Sequence, residues 1–238
     1  MKILGIESAS LVASVAIVED DSLLAEYSVN HKKTHSQTLL PMIDEIVKMT
    51  ETDLNTLDAI AISGGPGSFT GLRIGSATAK GLGLALNVPL VHVPTVDAMA
   101  YVMYGYDGLI CPIFDAKRGQ VYGGLYHFRD EFEVVKPQCA IDLKEFIEEI
   151  NLLGEPVVFL GDGVPVGKTI IEDNIKVPFK FAPAHVSRQR GAAVALLGQK
   201  YFAEGKVTAA GDEAPEYLRV SQAEREMAEK KLKAAKEL

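Results

Sequence analysis

Glu7 and Asp115 are the residues whose types and positions could do chemistry. Each closes an apolar run, Lys2–Ile6 in one case and Gly108–Phe114 in the other. Each is followed by a short turn, Glu7–Leu11 or Asp115–Gly119, and then by a second apolar run, Val12–Val18 or Gln120–Phe128. A carboxylate at a strand end beside a tight turn is one way to build a metal-bridged phosphate site. Such a site needs backbone N–H groups that approach the phosphate closely, and glycine permits that approach. The turns read Glu7-Ser8-Ala9 and Asp115-Ala116-Lys117, so neither carries the glycine. A carboxylate facing a triphosphate is repulsive unless metal bridges the two. Each turn thus keeps the carboxylate but lacks the glycine that such a site needs.

Other chemistry-bearing segments are weaker. Gly161–Thr169, GDGVPVGKT, follows the apolar run Pro156–Leu160 and resembles a P-loop. The spacing fails, because the position five before Gly167 is Asp162, and Pro165 removes an N–H from the cradle. Gly161 and Gly163 are expected instead in a tight turn after a strand. His31 and His35 have H-x-x-x-H spacing, but no third metal ligand lies nearby. Gly67–Gly71 reads G-S-F-T-G, with serine misplaced for a nucleophile elbow. Cys111 and Cys139 lie in no C-x-x-C or Cys/His pattern and are read as reduced thiols. No catalytic residue and no metal ligand set is assigned.

The elements that position these residues alternate. Ser22–Val29 forms a third, more exposed strand after the first two. Leu39, Leu40, Ile43, Ile46 and Val47 then make one apolar stripe of a helix over Ser36–Met49, capped by Ser36 or Thr38. A strand at Ala59–Ile62, a helix at Ser68–Leu86, a strand at Pro89–Val93 and a helix near Val96–Met103 complete a first half. The pattern restarts at Gly108 with two strands, a helix at Asp142–Ile150, a strand at Pro156–Leu160 and a helix at Gly191–Glu204. Residues 1–106 and 107–238 are read as two α/β lobes from a duplicated β-β-β-α-β-α unit. That layout is similar to the actin, Hsp70 and sugar-kinase superfamily, whose two-lobed actin-like ATPase (ASKHA, RNase H-like) fold sets two phosphate loops across a cleft. From Arg219 onward the chain is charged and helix-forming, a solvated terminal helix.

Composition limits the function classes. The 238 residues are 47% hydrophobic and 24% charged, ordinary for a globular chain, with a net charge of −8. An acidic chain is poorly suited to grip nucleic acid unaided. No apolar run approaches the ~18 residues of a membrane span, and no leader is read at the start, so a cytoplasmic location is expected.

The helix Ser68–Leu86 is the most informative segment. Gly71, Gly75, Ala79 and Gly83 recur every four residues along one side. Each interior helix glycine costs ~1 kcal/mol relative to alanine, so the stripe needs an offsetting close approach of another backbone. Two readings satisfy this. One is a surface for a partner helix, with Leu72, Leu82 and Leu86 beside it; the other is a helix packed tightly inside the monomer.

His35–Asp44 (HSQTLLPMID), Gly64–Val91 (GGPGSFTGLRIGSATAKGLGLALNVPLV), Phe114–Tyr126 (FDAKRGQVYGGLY), Gly161–Gly163 (GDG) and Pro215–Arg219 (PEYLR) together resemble the bacterial TsaB (YeaZ) family. The resemblance runs in order over nearly the whole chain. It implies a role in making threonylcarbamoyladenosine at position 37 of tRNA, as a non-catalytic scaffold. The implied partners are a TsaD-like paralogue and a TsaE-like ATPase, with self-pairing into a homodimer when alone and tRNA met only through the complex. The interface it implies lies on the two first-lobe helices, through His35, Leu39, Leu40, Ile43, Ile46, Val47, Phe69, Gly71, Leu72, Gly75 and Ala79. It implies no tightly bound cofactor, with ATP or ADP held at most weakly or at an interface. Glu7, Ser8, Asp115, Ala116, Gly161 and Gly163 are the degenerate phosphate-loop positions. Two alternatives stay open: an ATP-dependent enzyme of the superfamily, and an M22 glycoprotease-like peptidase using His31 and His35.

Overall fold

A computed structural model describes residues 1–219. The apolar runs form β1 (Lys2–Glu7), β2 (Val12–Glu19) and β3 (Ser22–Asn30), an antiparallel meander whose first two strands are buried on both faces. α1 (His35–Thr50) follows, then β4 (Ala59–Gly65), α2 (Phe69–Leu86), β5 (Leu90–Pro94) and α3 (Thr95–Tyr101). β4 runs parallel to β1, and β5 parallel to β4, giving a five-stranded sheet in the order β3-β2-β1-β4-β5.

The second half repeats this plan. β6 (Tyr106–Asp115), β7 (Gln120–Phe128) and β8 (Phe132–Asp142) form the meander, followed by α4 (Leu143–Leu153), β9 (Val157–Leu160), α5 (Gly163–Asn174), β10 (Phe179–Phe181) and α6 (Gly191–Ala203). The sheet order is β10-β9-β6-β7-β8, with β6 antiparallel to β7 and parallel to β9. Strand by strand this is the first sheet again. It is the actin-like ATPase fold expected from the sequence. The repeated unit is β-β-β-α-β-α-β-α, one strand and one helix longer than expected.

Three local expectations are corrected. α1 starts at His35 behind Thr34, which makes no side-chain cap, so neither Ser36 nor Thr38 is the cap. Pro41 lies inside α1, on its exposed side. No residues were assigned to β8, although the duplicated unit calls for a third strand there, and β10 was not expected as a strand. α5 begins inside GDGVPVGKT, so that segment is the first turns of a helix as well as a turn.

The lobes also exchange helices. α6 packs its Val194, Ala195 and Leu197 on Ile3, Ala59, Ala61 and Val91 of the first sheet. Gly5 and Gly198 allow this close approach: a Cβ on Gly5 would stand 2.4 Å from the Gly191 carbonyl, and one on Gly198 2.4 Å from the Ala61 Cβ. α3 sends Val96, Met99 and Ala100 into the core of the second sheet. Buried Asp97 on α3 accepts hydrogen bonds from Tyr126 of β7 (2.7 Å) and Tyr201 of α6 (3.1 Å). A division at 106/107 falls one residue inside β6 and does not divide the packing, because α6 and residues 208–213 return to the first lobe.

Candidate functional site

Glu7 and Asp115 occupy matching places, each the last residue of the first strand of its unit, paired with Ser14 and Val121. Between the two turns lies a cleft of about 690 Å³. Its walls include Ala9–Leu11 of the first turn, Ser68–Thr70 at the start of α2, and Phe114–Lys117 of the second turn.

The first turn is closed by its own neighbours. Glu7 is fully buried, and its Oε1 accepts from the Ala9 amide at 2.6 Å. It is not among the residues that line the cleft. Burial pushes its carboxyl up to about 7, opposed by the Ala9 hydrogen bond. Buried Ser8 donates to the Gly71 carbonyl at 3.0 Å. The Ala9 carbonyl accepts from the Ser68 amide at 2.6 Å, and the Ser10 carbonyl accepts from His35 Nε2 at 2.7 Å. The Val12 amide is taken by Ser10 Oγ at 3.2 Å.

The second turn is more open. Lys117, Arg118 and Gly119 all hold positive φ and are exposed. Asp115 accepts from the Lys117 amide at 2.8 Å and pairs with its ammonium. Burial opposes the Asp115 charge, but these Lys117 hydrogen bonds outweigh it and hold the carboxyl below its usual range. Half-buried Asp162 accepts from the Asp115 amide at 3.2 Å, and its carboxyl is raised by burial. Ala116 is buried; its amide donates to the Gln120 carbonyl. A Cβ at Gly161 or Gly163 would meet the Ile113 carbonyl, at 2.2 and 2.9 Å, so both let α5 approach β6.

The glycine stripe of α2 faces inward. Gly71, Leu72, Gly75, Ala79 and Gly83 are all buried. A Cβ on Gly75 would meet Ser8 Oγ at 2.1 Å, one on Gly71 the Ser8 carbonyl at 2.2 Å, and one on Gly83 the Ala210 Cβ at 2.9 Å. The close approach that the sequence demanded is made by the chain's own first turn and by the segment after α6. On α1, Leu39, Ile43 and Ile46 are likewise buried in the first core, and His35 is buried against Ser10. As direct contacts for a partner these seven positions (His35, Leu39, Ile43, Ile46, Gly71, Gly75, Ala79), with Leu72, are corrected: the fold already occupies them.

Leu40 (53% exposed) remains outward, and Val47 and Phe69 are half-buried. The sequence reading missed the opposite side of α2, where Thr70, Arg73, Ala77, Gly81, Leu84 and Ala85 are exposed. From Ala77 to Ala85 no exposed residue of α2 carries a charge; Lys80 turns to the Glu213 carbonyl at 2.8 Å. A Cβ on Gly81 would meet nothing within 4 Å, and Leu84 is 66% exposed. The same four-residue spacing, shifted by two positions, was the available signal.

His31 is exposed and His35 is committed to Ser10, so the two do not form a pair. Among the described residues there is no group of three or more His, Cys, Asp and Glu that could hold a metal ion. Cys111 and Cys139 are free thiols. No helix among the described residues is long and apolar enough to cross a membrane.

Residues 22–227 match the family model described as TsaD, tRNA N6-adenosine threonylcarbamoyltransferase. The chain is 33% identical over 225 residues to a Bacillus subtilis protein named tRNA threonylcarbamoyladenosine biosynthesis protein TsaB, covering 94% of this chain and 96% of that one. An Escherichia coli protein of the same name is 29% identical over 229 residues, covering 92% and 95%. Among solved structures, YeaZ from Pseudomonas aeruginosa superposes with a TM-score of 0.75 at 21% identity, covering 91% of this chain and 99% of that one.

Proposed function

Since the chain belongs to the TsaB/YeaZ family of tRNA threonylcarbamoyladenosine biosynthesis proteins, we propose that it serves that modification as a non-catalytic scaffold. In this reading it docks on a TsaD-like paralogue through the outward sides of α1 and α2. A TsaE-like ATPase joins through the complex, tRNA is met only indirectly, and the same face pairs two copies when the partner is absent.

The outward side of α2 is the observation that carries this reading. A helix whose inner face is fully used still presents Ala77, Gly81, Leu84 and Ala85 without a charge among them, and α1 adds Leu40 and Met49 (76% exposed). Small residues on an exposed helix let a second helix approach closely, and large apolar ones bury area on contact. The lack of a catalytic role is supported by the turns. The amides of Ala9, Ala116 and Lys117, which could cradle a phosphate, donate within the chain instead. A nucleotide would have to displace those bonds, so tight ATP binding is not expected.

The test is reconstitution of tRNA modification from purified components, read as modified nucleoside. Leaving this chain out should abolish product, while Asp115→Asn should support it as well as the parent does. Product formed without the chain would refute the scaffold role. Loss of product with folded Asp115→Asn would favour the second reading, an ATP-dependent enzyme. That reading has the cleft in its favour, with Asp115, Asp162, Lys33 and Lys117 along it. Calorimetry with Mg-ATP separates the two: micromolar binding with hydrolysis supports the enzyme, and no heat supports the scaffold.

A further inference from the structure

The segment after α6 does not leave the molecule. Thr208 pairs with Leu90 at the free edge of β5, through hydrogen bonds of 2.8 and 2.9 Å. Ala210 is buried against Gly83 of α2. Glu213 is buried: its carboxylate accepts from Ser76 Oγ, lies 3.7 Å from His92 Nδ1, and its carbonyl accepts from Lys80. These contacts all belong to the first lobe.

The next residues cross the cleft. The Glu216 amide donates to the Gly64 carbonyl at 2.7 Å. Gly65 has a φ of +122°, and a Cβ there would stand 2.2 Å from the Glu216 carbonyl, so the two backbones are in close contact. Gln138 on β8 of the second lobe donates through Nε2 to both the Gly65 carbonyl (3.1 Å) and Glu216 Oε2 (3.0 Å). Tyr217 packs at a tilt against Phe69, with centroids 4.9 Å apart, and accepts from Arg73 Nε at 3.3 Å, while the Arg73 guanidinium lies over the Phe69 ring. Arg219 then donates to the Ala116 carbonyl in the second turn. Residues 216–219 form one wall of the cleft.

We propose that residues 208–219 are an interlobe strap, anchored on the first lobe and fastened to the second by Gln138 and Ala116, that holds the cleft closed and is released to open it. Two-lobed folds open by hinge motion unless the interface between lobes resists it. Here the fastening side is polar and partly exposed, while the anchoring side is buried. Buried anchors open at high free energy and exposed polar contacts at low, so the strap lets go at its second-lobe end first.

Spin labels at Gln37→Cys on α1 and Lys144→Cys on α4, in a Cys139→Ser background, report the distance between lobes. The strap requires that Gln138→Ala/Arg219→Ala, which removes both fastenings, add a longer, broader component to the distance distribution. Amides of residues 115–119 should exchange about tenfold faster, with the first-sheet amides unchanged. Arg219→Ala, a change at the far tip, should shift both readouts the same way by less. A folded double variant with the parent's distances and exchange rates would overturn the proposal. If the double variant does not fold, Arg219→Ala decides alone, and parent-like values there overturn it.

Discussion

The two faces of α2 are built from the same kind of residue and do opposite things. Gly71, Gly75 and Gly83 are small because Ser8, Ile62, Leu90 and Ala210 occupy the space a side chain would need, and Ala79 between them is buried. Ala77 and Gly81 are small with open space in front of them. A glycine is thus no sign of a partner by itself. What distinguishes the faces is whether the neighbour is already present in the chain.

Substitutions on the two faces should separate cleanly. Gly75→Leu should cost about 3 kcal/mol or more in denaturant unfolding, because it drives a branched side chain into Ser8 and Ile62. Should the variant prove as stable as the parent, the inward packing is wrong.

Glu7, at the base of that packing, sharpens the inner face through pH. Its folded carboxyl titrates near 7, above its ordinary 4.5, so the fold prefers the protonated form. That contribution is whole below about pH 4.5 and is lost as pH climbs through about 7. Glu7→Gln should remove this dependence and stabilise the protein at pH 8 by up to about 3 kcal/mol. Stability curves at pH 5 and 8 check it; an unchanged pH slope would contradict a buried, desolvated Glu7.

Ser8→Ala removes one buried hydrogen bond to α2 and should cost about 1 kcal/mol. The smallest effect belongs to the outer face. Gly81→Ala should raise stability by about 0.5–1 kcal/mol, since an exposed helix glycine is replaced with nothing nearby to clash. A loss of stability would mean that the outer face is not open.

The duplicated plan was legible because strands buried on both faces read as plain apolar runs: β1, β2, β4, β6 and β7 were all expected. β8 was not placed in the sequence, because its exposed and half-buried residues, EVVKPQ among them, give neither a clean alternation nor an apolar run. β10 is three residues long and α5 begins with Gly163 and Pro165, so neither offers a pattern of useful length. At the site, the spacing of Gly71, Gly75, Ala79 and Gly83 correctly announced a close approach. It could not say by what, since Ser8 and Ala210 lie 67 and 127 residues from Gly75 and Gly83 in sequence. Glu7 is similar: its position at the end of β1 was evident, but its inward turn depends on the Ala9 amide. The strap was visible only as the string PEYLR, with nothing to show that it crosses the cleft.

Docking on the outward side of α2 is tested most directly by two substitutions there. Ala77→Arg and Leu84→Glu each place a charge on an exposed position and should leave stability within about 0.5 kcal/mol of the parent. Binding of each variant to the TsaD-like paralogue, measured by titration calorimetry, should weaken at least about tenfold, a cost of about 1.4 kcal/mol. Parent-like affinity in both folded variants would contradict docking on this face.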